Sequence, residues 1–234
     1  MTRQPEVVAV VGGIVVVNKP AGVRTDGSDR PGVPDLPSWL DHHPDLPPGT
    51  RPAHRLDLQA SGLVLCAAAP ALRAAIGNAL AEGEIEKTYL TLVHGHTRKK
   101  GTIRRPLQDN RRKRALPAVT RYRTLEVLHK VSLLAVRIET GRKHQIRRHL
   151  EGIGHPIVGD TRYRGRHKRG LRGAPDRIWL HARALVLPAH LTGDEETVLE
   201  APLAPELLAH LEALRAPAPA DEAIQTEPPL GSED

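Results

Sequence analysis

Apolar positions along this 234-residue chain fall into short runs divided by Gly, Pro and Asp. Val7 to Val17 is β-branched and apolar but broken by Gly12-Gly13, which predicts two short strands joined by a turn. Thr25 to Pro52 is rich in Pro, Gly and Asp and reads as a long surface loop, with a helical turn at Ser38 to His42. Leu63 to Ala69 reads as a buried strand. Pro70 then opens a helix in which Leu72, Ile76 and Leu80 share one face until Gly83 stops it. Thr88 to Val93, Leu133 to Ile138 and Ile178 to Leu187 are further apolar, β-rich runs. After Thr140-Gly141 the stripe Ile146, Leu150, Ile153 predicts a helix closed by Gly154 and Pro156, and Pro205 to Leu214 predicts a last amphipathic one.

Strands and helices are interleaved without a regular βαβ alternation. That argues for an α+β fold, with a mixed, mostly antiparallel sheet flanked by helices. Residues 1–215 are long enough for one domain with its own core. Residues 216–234 are acidic, Pro-rich and almost free of large apolar side chains, so a disordered tail is expected there.

Composition narrows the functional classes. Phe is absent and aromatics make up 2% of residues, so each Tyr and Trp stands out. Cys66 is the single cysteine, which excludes an internal disulfide and every Cys-paired zinc site; set in Leu63-Val64-Leu65-Cys66-Ala67, it reads as a packed thiol. Net charge is +7, and the acidic residues Asp221, Glu222, Glu227, Glu233 and Asp234 have no basic counterpart after Arg215, so the body of the protein is more basic still. Such a balance favours a polyanionic partner, although basicity alone also serves solubility. The apolar stretch near Met1 is too short for a signal or membrane span, and a cytoplasmic protein is expected.

Two segments concentrate chemistry. His54-Arg55-Leu56-Asp57-Leu58-Gln59-Ala60-Ser61-Gly62 lies between the Pro-rich loop and a buried strand, where a scaffold can present charged groups to a ligand; a loop Asp satisfied by local backbone is the plainer account. Glu139 to Leu150 carries Arg142, Lys143, His144, Gln145, Arg147, Arg148 and His149. If Ile146 and Leu150 face the core, Arg147 lies about 100° round the helix, on the border of a cleft. A basic, solvated helix face is the alternative. His144 and His149 lack a third ligand of matching spacing, so no metal site is expected.

Together with four other stretches, these segments resemble the RluA-type family of RNA pseudouridine synthases. The stretches are Ile14 to Gly22 (IVVVNKPAG), Glu86 to Gly95 (EKTYLTLVHG), Leu180-His181-Ala182 and Ala201-Pro202-Leu203, which follow the family's order along the chain. The resemblance implies the pseudouridine synthase fold, with a bent sheet and a central RNA-binding cleft. It implies Asp57 as the catalytic aspartate, Tyr89 as the ring that stacks on the target base, Arg147 as the salt-bridge partner of Asp57, and Arg55, beside His54, as the side chain filling the space of a flipped uridine. The reaction moves one bond within a nucleotide, so no cofactor is implied. An extruded uridine needs apolar and aromatic walls, and the carboxylate needs a nearby cation to orient it and keep it ionised.

Two departures stand against the pattern. Ala60 replaces the usual Thr before Ser61-Gly62, and the RNA-gripping loop, here Pro106 to Val119, is short. It is nevertheless strongly basic through Arg111, Arg112, Lys113 and Arg114, and a second basic cluster runs from Arg162 to Arg172; phosphate contact is the expected use of both. With the first matching strand at Ile14, a small N-terminal S4-like domain is not expected. The expected partner is RNA, either tRNA or large-subunit rRNA, bound by a monomer. A non-catalytic basic RNA-binding module, and a hydrolase releasing free uracil, are the competing readings.

Overall fold

The computed structural model describes residues 4–28, 32–109, 112–165, 171–193 and 195–216. In chain order the elements begin with β1 (Glu6–Val11), β2 (Ile14–Lys19), α1 (Leu36–Asp41), β3 (Arg51–Pro52), β4 (Ser61–Ala67) and α2 (Pro70–Glu82). Next come β5 (Glu86–His94), β6 (Lys100–Ile103), β7 (Leu107–Asp109), β8 (Arg114–Leu116), β9 (Thr120–Leu128) and β10 (Val131–Ile138). α3 (Gln145–Gly152), β11 (Leu180–Leu187), α4 (Ala189–Thr192), β12 (Thr197–Glu200) and α5 (Pro205–Arg215) complete the series.

Gly12 and Gly13, both at positive φ, turn β1 back on β2, and β2 pairs in turn with β4 from Ile14↔Ala67 to Lys19↔Gly62. A second antiparallel group runs β5, β10, β9, β6. β11 lies between the two groups, parallel to β4 through His181↔Ser61 and Ala182↔Gly62, and antiparallel to β5. The sheet order is therefore β1-β2-β4-β11-β5-β10-β9-β6, with β12 on β11 and β3 on β4. This is the mixed, mostly antiparallel sheet of the α+β expectation.

At β4 both faces of the sheet are covered, which explains why this strand is apolar at nearly every position and buried at all of them. Leu63, Leu65 and Ala67 join Ile14, Val16, Ile76 and Ala79 on the α2 side. Val64 and Cys66 face the larger core with Val15, Val17, Trp179 and residues of α1, α3 and α5. Burial pushes the Cys66 thiol up to about 12, so it packs as an inert hydrophobe.

The structure departs from the sequence reading at several points. α1 starts two residues earlier than expected because Asp35 caps it, accepting a hydrogen bond from Ser38 N at 2.8 Å, and its Leu36 and Leu40 are buried. The predicted helix after Gly141 ends at Gly152, leaving Ile153 as its C-cap and 39% exposed instead of part of the buried stripe. Arg147, placed by its spacing on the helix border, is 8% exposed. Pro106 to Val119 is not an open loop but contains the β7–β8 hairpin, closed over the buried Leu107 and Leu116. The expected tail lies, from 217 on, outside the described residues.

Candidate active site

α3 has only eight residues, too few for a helix stable on its own. It is held by burying Ile146 and Leu150, worth roughly 1.5–3 kcal/mol each, and by polar side chains that point inward. Gln145 donates to Val119 O at 2.9 Å and Thr120 Oγ1 at 3.0 Å while its own carbonyl accepts from Thr140 Oγ1 and Arg142 N. His149 bridges Thr120 Oγ1 (2.8 Å) and Arg105 O (2.9 Å). These bonds fix the rotation of α3 and thereby aim Arg147.

Arg147 joins two carboxylates. Its Nε and Nη2 donate to Asp160 Oδ2 (2.6 Å) and Oδ1 (3.0 Å), a two-pronged pair, and Nη1 donates to Asp57 Oδ2 at 2.9 Å. The Asp160 side chain is fully buried, whereas that of Asp57 retains 21% of its surface. Asp160 also accepts from the backbone N–H of Arg162 and Tyr163, both at 2.9 Å. Burial alone would raise the Asp160 carboxyl, but these hydrogen bonds outweigh it and hold the group below the usual carboxylate range. For Arg147 burial works against the charge, and the bonds to Asp160 and Asp57 reverse it, so the guanidinium is bound more firmly than an ordinary arginine. Asp160 is thus the anchor, and Asp57 the carboxylate left accessible.

The loop carrying Asp57 is pinned from several sides. Leu56 exchanges hydrogen bonds with Thr25 Oγ1, Gly22 N donates to Leu58 O at 2.8 Å, and Ala60 N donates to Asp57 O at 3.0 Å. Lys19, fully buried at the end of β2, donates to the carbonyls of Pro20 (2.8 Å), Val23 (2.9 Å) and Ala60 (2.7 Å). Burial, assisted by Arg177, lowers the Lys19 ammonium to about 7, while the charge of Asp57 opposes the shift. The methyl of Ala60 is itself buried. Immediately after, Gly62 sits at φ 109°, and a Cβ there would overlap the backbone of Ala182 on β11.

Tyr89 occupies β5 between Val136 of β10 and Ala182 of β11, with its ring in the larger core. Burial first, and the negative charge of Asp57 second, push its hydroxyl well above the usual tyrosine value, so it is a neutral phenol. Tyr163 faces Arg147 from the other side, with the guanidinium carbon 5.0 Å from the ring centroid. His144, in a left-handed conformation (φ 53°) at the N-cap of α3, approaches Asp57 Oδ1 at 3.6 Å with Nε2 and bonds Tyr163 Oη at 3.0 Å with Nδ1.

The model of the RNA pseudouridylate synthase family matches residues 13–152, the span holding β2, the Asp57 loop, Tyr89 and Arg147. The chain belongs to that family. It is an RNA pseudouridine synthase, an isomerase acting on RNA. It is 34% identical over 223 residues to Ribosomal large subunit pseudouridine synthase D of Vibrio parahaemolyticus, covering 86% of this chain and 68% of that one. To the uncharacterized RNA pseudouridine synthase YhcT of Bacillus subtilis it is 34% identical over 203 residues, 81% and 65% of the two chains. Human RNA Pseudouridylate Synthase Domain Containing 1 superposes with a TM-score of 0.68 at 27% identity, over 91% of this chain and 95% of that one. Human RNA Pseudouridylate Synthase Domain Containing 4 shares the fold, with a TM-score of 0.72 at 24% identity and coverage of 89% and 92%.

Within this synthase, the structure brings Asp57, Arg147 and Tyr89 together as the sequence suggested. Arg55 and His54 flank them differently. The exposed Arg55 guanidinium pairs with Asp26 at 3.1 Å. His54 accepts from Leu65 N at 3.0 Å, and burial, reinforced by Lys87, lowers it to about 4, so its imidazole is neutral. Arg112, Lys113 and Arg114 stand exposed at the tip of the β7–β8 hairpin, which Arg148 ties to α3 through Gln108 O at 3.1 Å; Arg111 lies outside the described residues. Of the second basic cluster, Arg162, Arg164 and Arg172 are described, while 166–170 are not. Sequence reasoning missed Asp160, Tyr163 and the placement of His144. One signal was available, since Tyr163 is among only three tyrosines in the chain. Among the described residues, no group of three His, Cys, Asp or Glu could hold a metal ion, and no helix is long and apolar enough to cross a membrane.

Proposed function

We propose that this synthase isomerises a specific uridine of large-subunit ribosomal RNA, with Asp57 as the catalytic carboxylate acting on a base turned out of its stack. The observation that carries the reading is the accessible Asp57 carboxylate, held at 2.9 Å by an arginine whose other face is locked to a fully buried Asp160. An anion so oriented is suited to attack or deprotonate at the sugar or base. Tyr89, in the wall beside it, is placed to stack on the uracil, and Arg55, on the exposed loop, to fill the gap in the RNA. His54 steadies that loop against β4. Ribosomal RNA is favoured over tRNA because the Vibrio relative carries the large subunit in its name. Mapping pseudouridine across the transcriptome in cells with and without the protein tests this directly. Loss of a site in large-subunit rRNA is the expected result; loss confined to tRNA would overturn the choice of substrate.

The hairpin tip supplies a separate test. If Arg111, Arg112, Lys113 and Arg114 touch phosphates, replacing all of them weakens binding to many RNAs alike. It also lowers the slope of log affinity against log salt by about 3–4. Turnover at saturating RNA changes little. Affinities measured across a salt series check it, and an unchanged slope removes the hairpin from the RNA-binding surface.

A further inference from the structure

Conversion of uridine to pseudouridine breaks N1–C1′ and forms C5–C1′, and it also requires the hydrogen on C5 to leave and N1 to gain one. Once C5 has bonded to C1′ it is tetrahedral and still carries that hydrogen. A base must remove it. Resting on the reading of Asp57 above, we propose that His144 is this base, accepting the C5 proton on Nε2.

Three features of the cleft support the assignment. Nε2 lies 3.6 Å from Asp57 Oδ1, and the two partly exposed side chains face the same space, so a sugar–base unit at Asp57 is within reach of the imidazole. Nδ1 is engaged by Tyr163 Oη at 3.0 Å. In the tautomer the step uses, Nδ1–H donates to Tyr163 and Nε2 keeps its lone pair. Finally, the backbone of His144 is left-handed at φ 53°, a conformation uncommon outside glycine, and this turn aims the ring at Asp57.

The neighbouring groups are engaged otherwise. Asp57 already has its part at the glycosidic bond in the reading above and is held by Arg147 through Oδ2, and Tyr89 is a neutral phenol whose proton is held more tightly than usual. Burial lowers His144, Asp57 raises it, and Arg147, Arg162 and Lys143 lower it; the net shift is downward, leaving the imidazole neutral at pH 7. In the step itself the C5–H bond breaks and Nε2–H forms. The C–H electron pair becomes the C5=C6 double bond, the N1=C6 π pair moves onto N1, and N1 takes a proton from water. The imidazolium then releases its proton to solvent, so charge and atoms balance.

The test uses the full-length protein and RNA isolated from cells lacking it, with uracil C5 carrying either hydrogen or deuterium. Pseudouridine formation is followed by mass spectrometry of nuclease digests. His144→Asn suits this test because Asn tolerates the left-handed backbone. It is expected to slow turnover about 10²-fold or more and to show a larger primary isotope effect at C5 than wild type. Tyr163→Phe, which keeps the ring but removes the hydroxyl, is expected to raise the isotope effect in the same direction, and it decides the matter if His144→Asn does not fold. A folded His144→Asn protein with the wild-type isotope effect, fast or slow, overturns the proposal, because a purely structural defect slows all steps alike. Asp57→Asn measured in parallel separates the two readings. Activity in that variant would remove the Asp57 assignment, while the isotope effect of His144→Asn still stands or falls alone.

Discussion

Asp57→Asn is expected to bind the cognate RNA within a few-fold of wild type and to form no detectable pseudouridine. The amide preserves the shape of the side chain and can still meet Arg147 Nη1 through its oxygen, so the fold and the RNA surface persist. What disappears is the anion. The carboxylate is the accessible end of the Asp57–Arg147–Asp160 array, and a neutral amide neither attacks the sugar nor takes a proton from it. Tritium release from RNA labelled at uracil C5 is the readout, with binding measured by filter retention. Near wild-type turnover by a correctly folded variant would falsify the assignment.

Arg147→Lys is expected to be almost as damaging, on the order of 10²–10³-fold in turnover, by analogy with loss of a single preorganised donor. Arg147 spreads three N–H donors over two carboxylates, with contacts of 2.6, 2.9 and 3.0 Å. An ammonium is a point charge on a flexible stem and cannot reproduce that fork. Asp160, fully buried, would capture the lysine and leave Asp57 unoriented. Affinity for RNA is expected to hold within a few-fold because Arg147 is buried and tied to two carboxylates. The opposite pattern, with turnover intact and binding weakened, would make Arg147 a phosphate contact.

The elements legible in the sequence were those with one dominant cause. β4 and α2 follow from apolar runs and from punctuation at Pro70 and Gly83, and the β1–β2 hairpin follows from Gly12-Gly13. β9 was not legible, because its outward positions alternate between Arg121 and Arg123 at one end and Leu125 and Val127 at the other, all exposed. That mixture imitates a basic loop. In the site, Asp57, Tyr89 and Arg147 could be named because each stands in a motif, whereas Asp160 could not be weighed. Its importance lies in full burial beneath Arg147, and burial of a carboxylate is a property of the assembled tertiary structure. Ile153 misled for a related reason: helical spacing was carried one step past Gly152, where the backbone leaves the helix.

β11 stands between the two halves of the sheet. To one side of it lie β1, β2 and β4, drawn from residues 6–67, and to the other β5, β10, β9 and β6, drawn from 86–138. Within each group all the pairing is antiparallel. Asp57 belongs to the first group, Tyr89 to the second, and Arg147 and Asp160 to the segment that follows it. In the sheet, the first group reaches the second through β11, so neither half contains a competent site. β11 is therefore what joins the Asp57 loop and Tyr89 into one proposed site. A change that loosens residues 180–187 is expected to separate the two while touching neither.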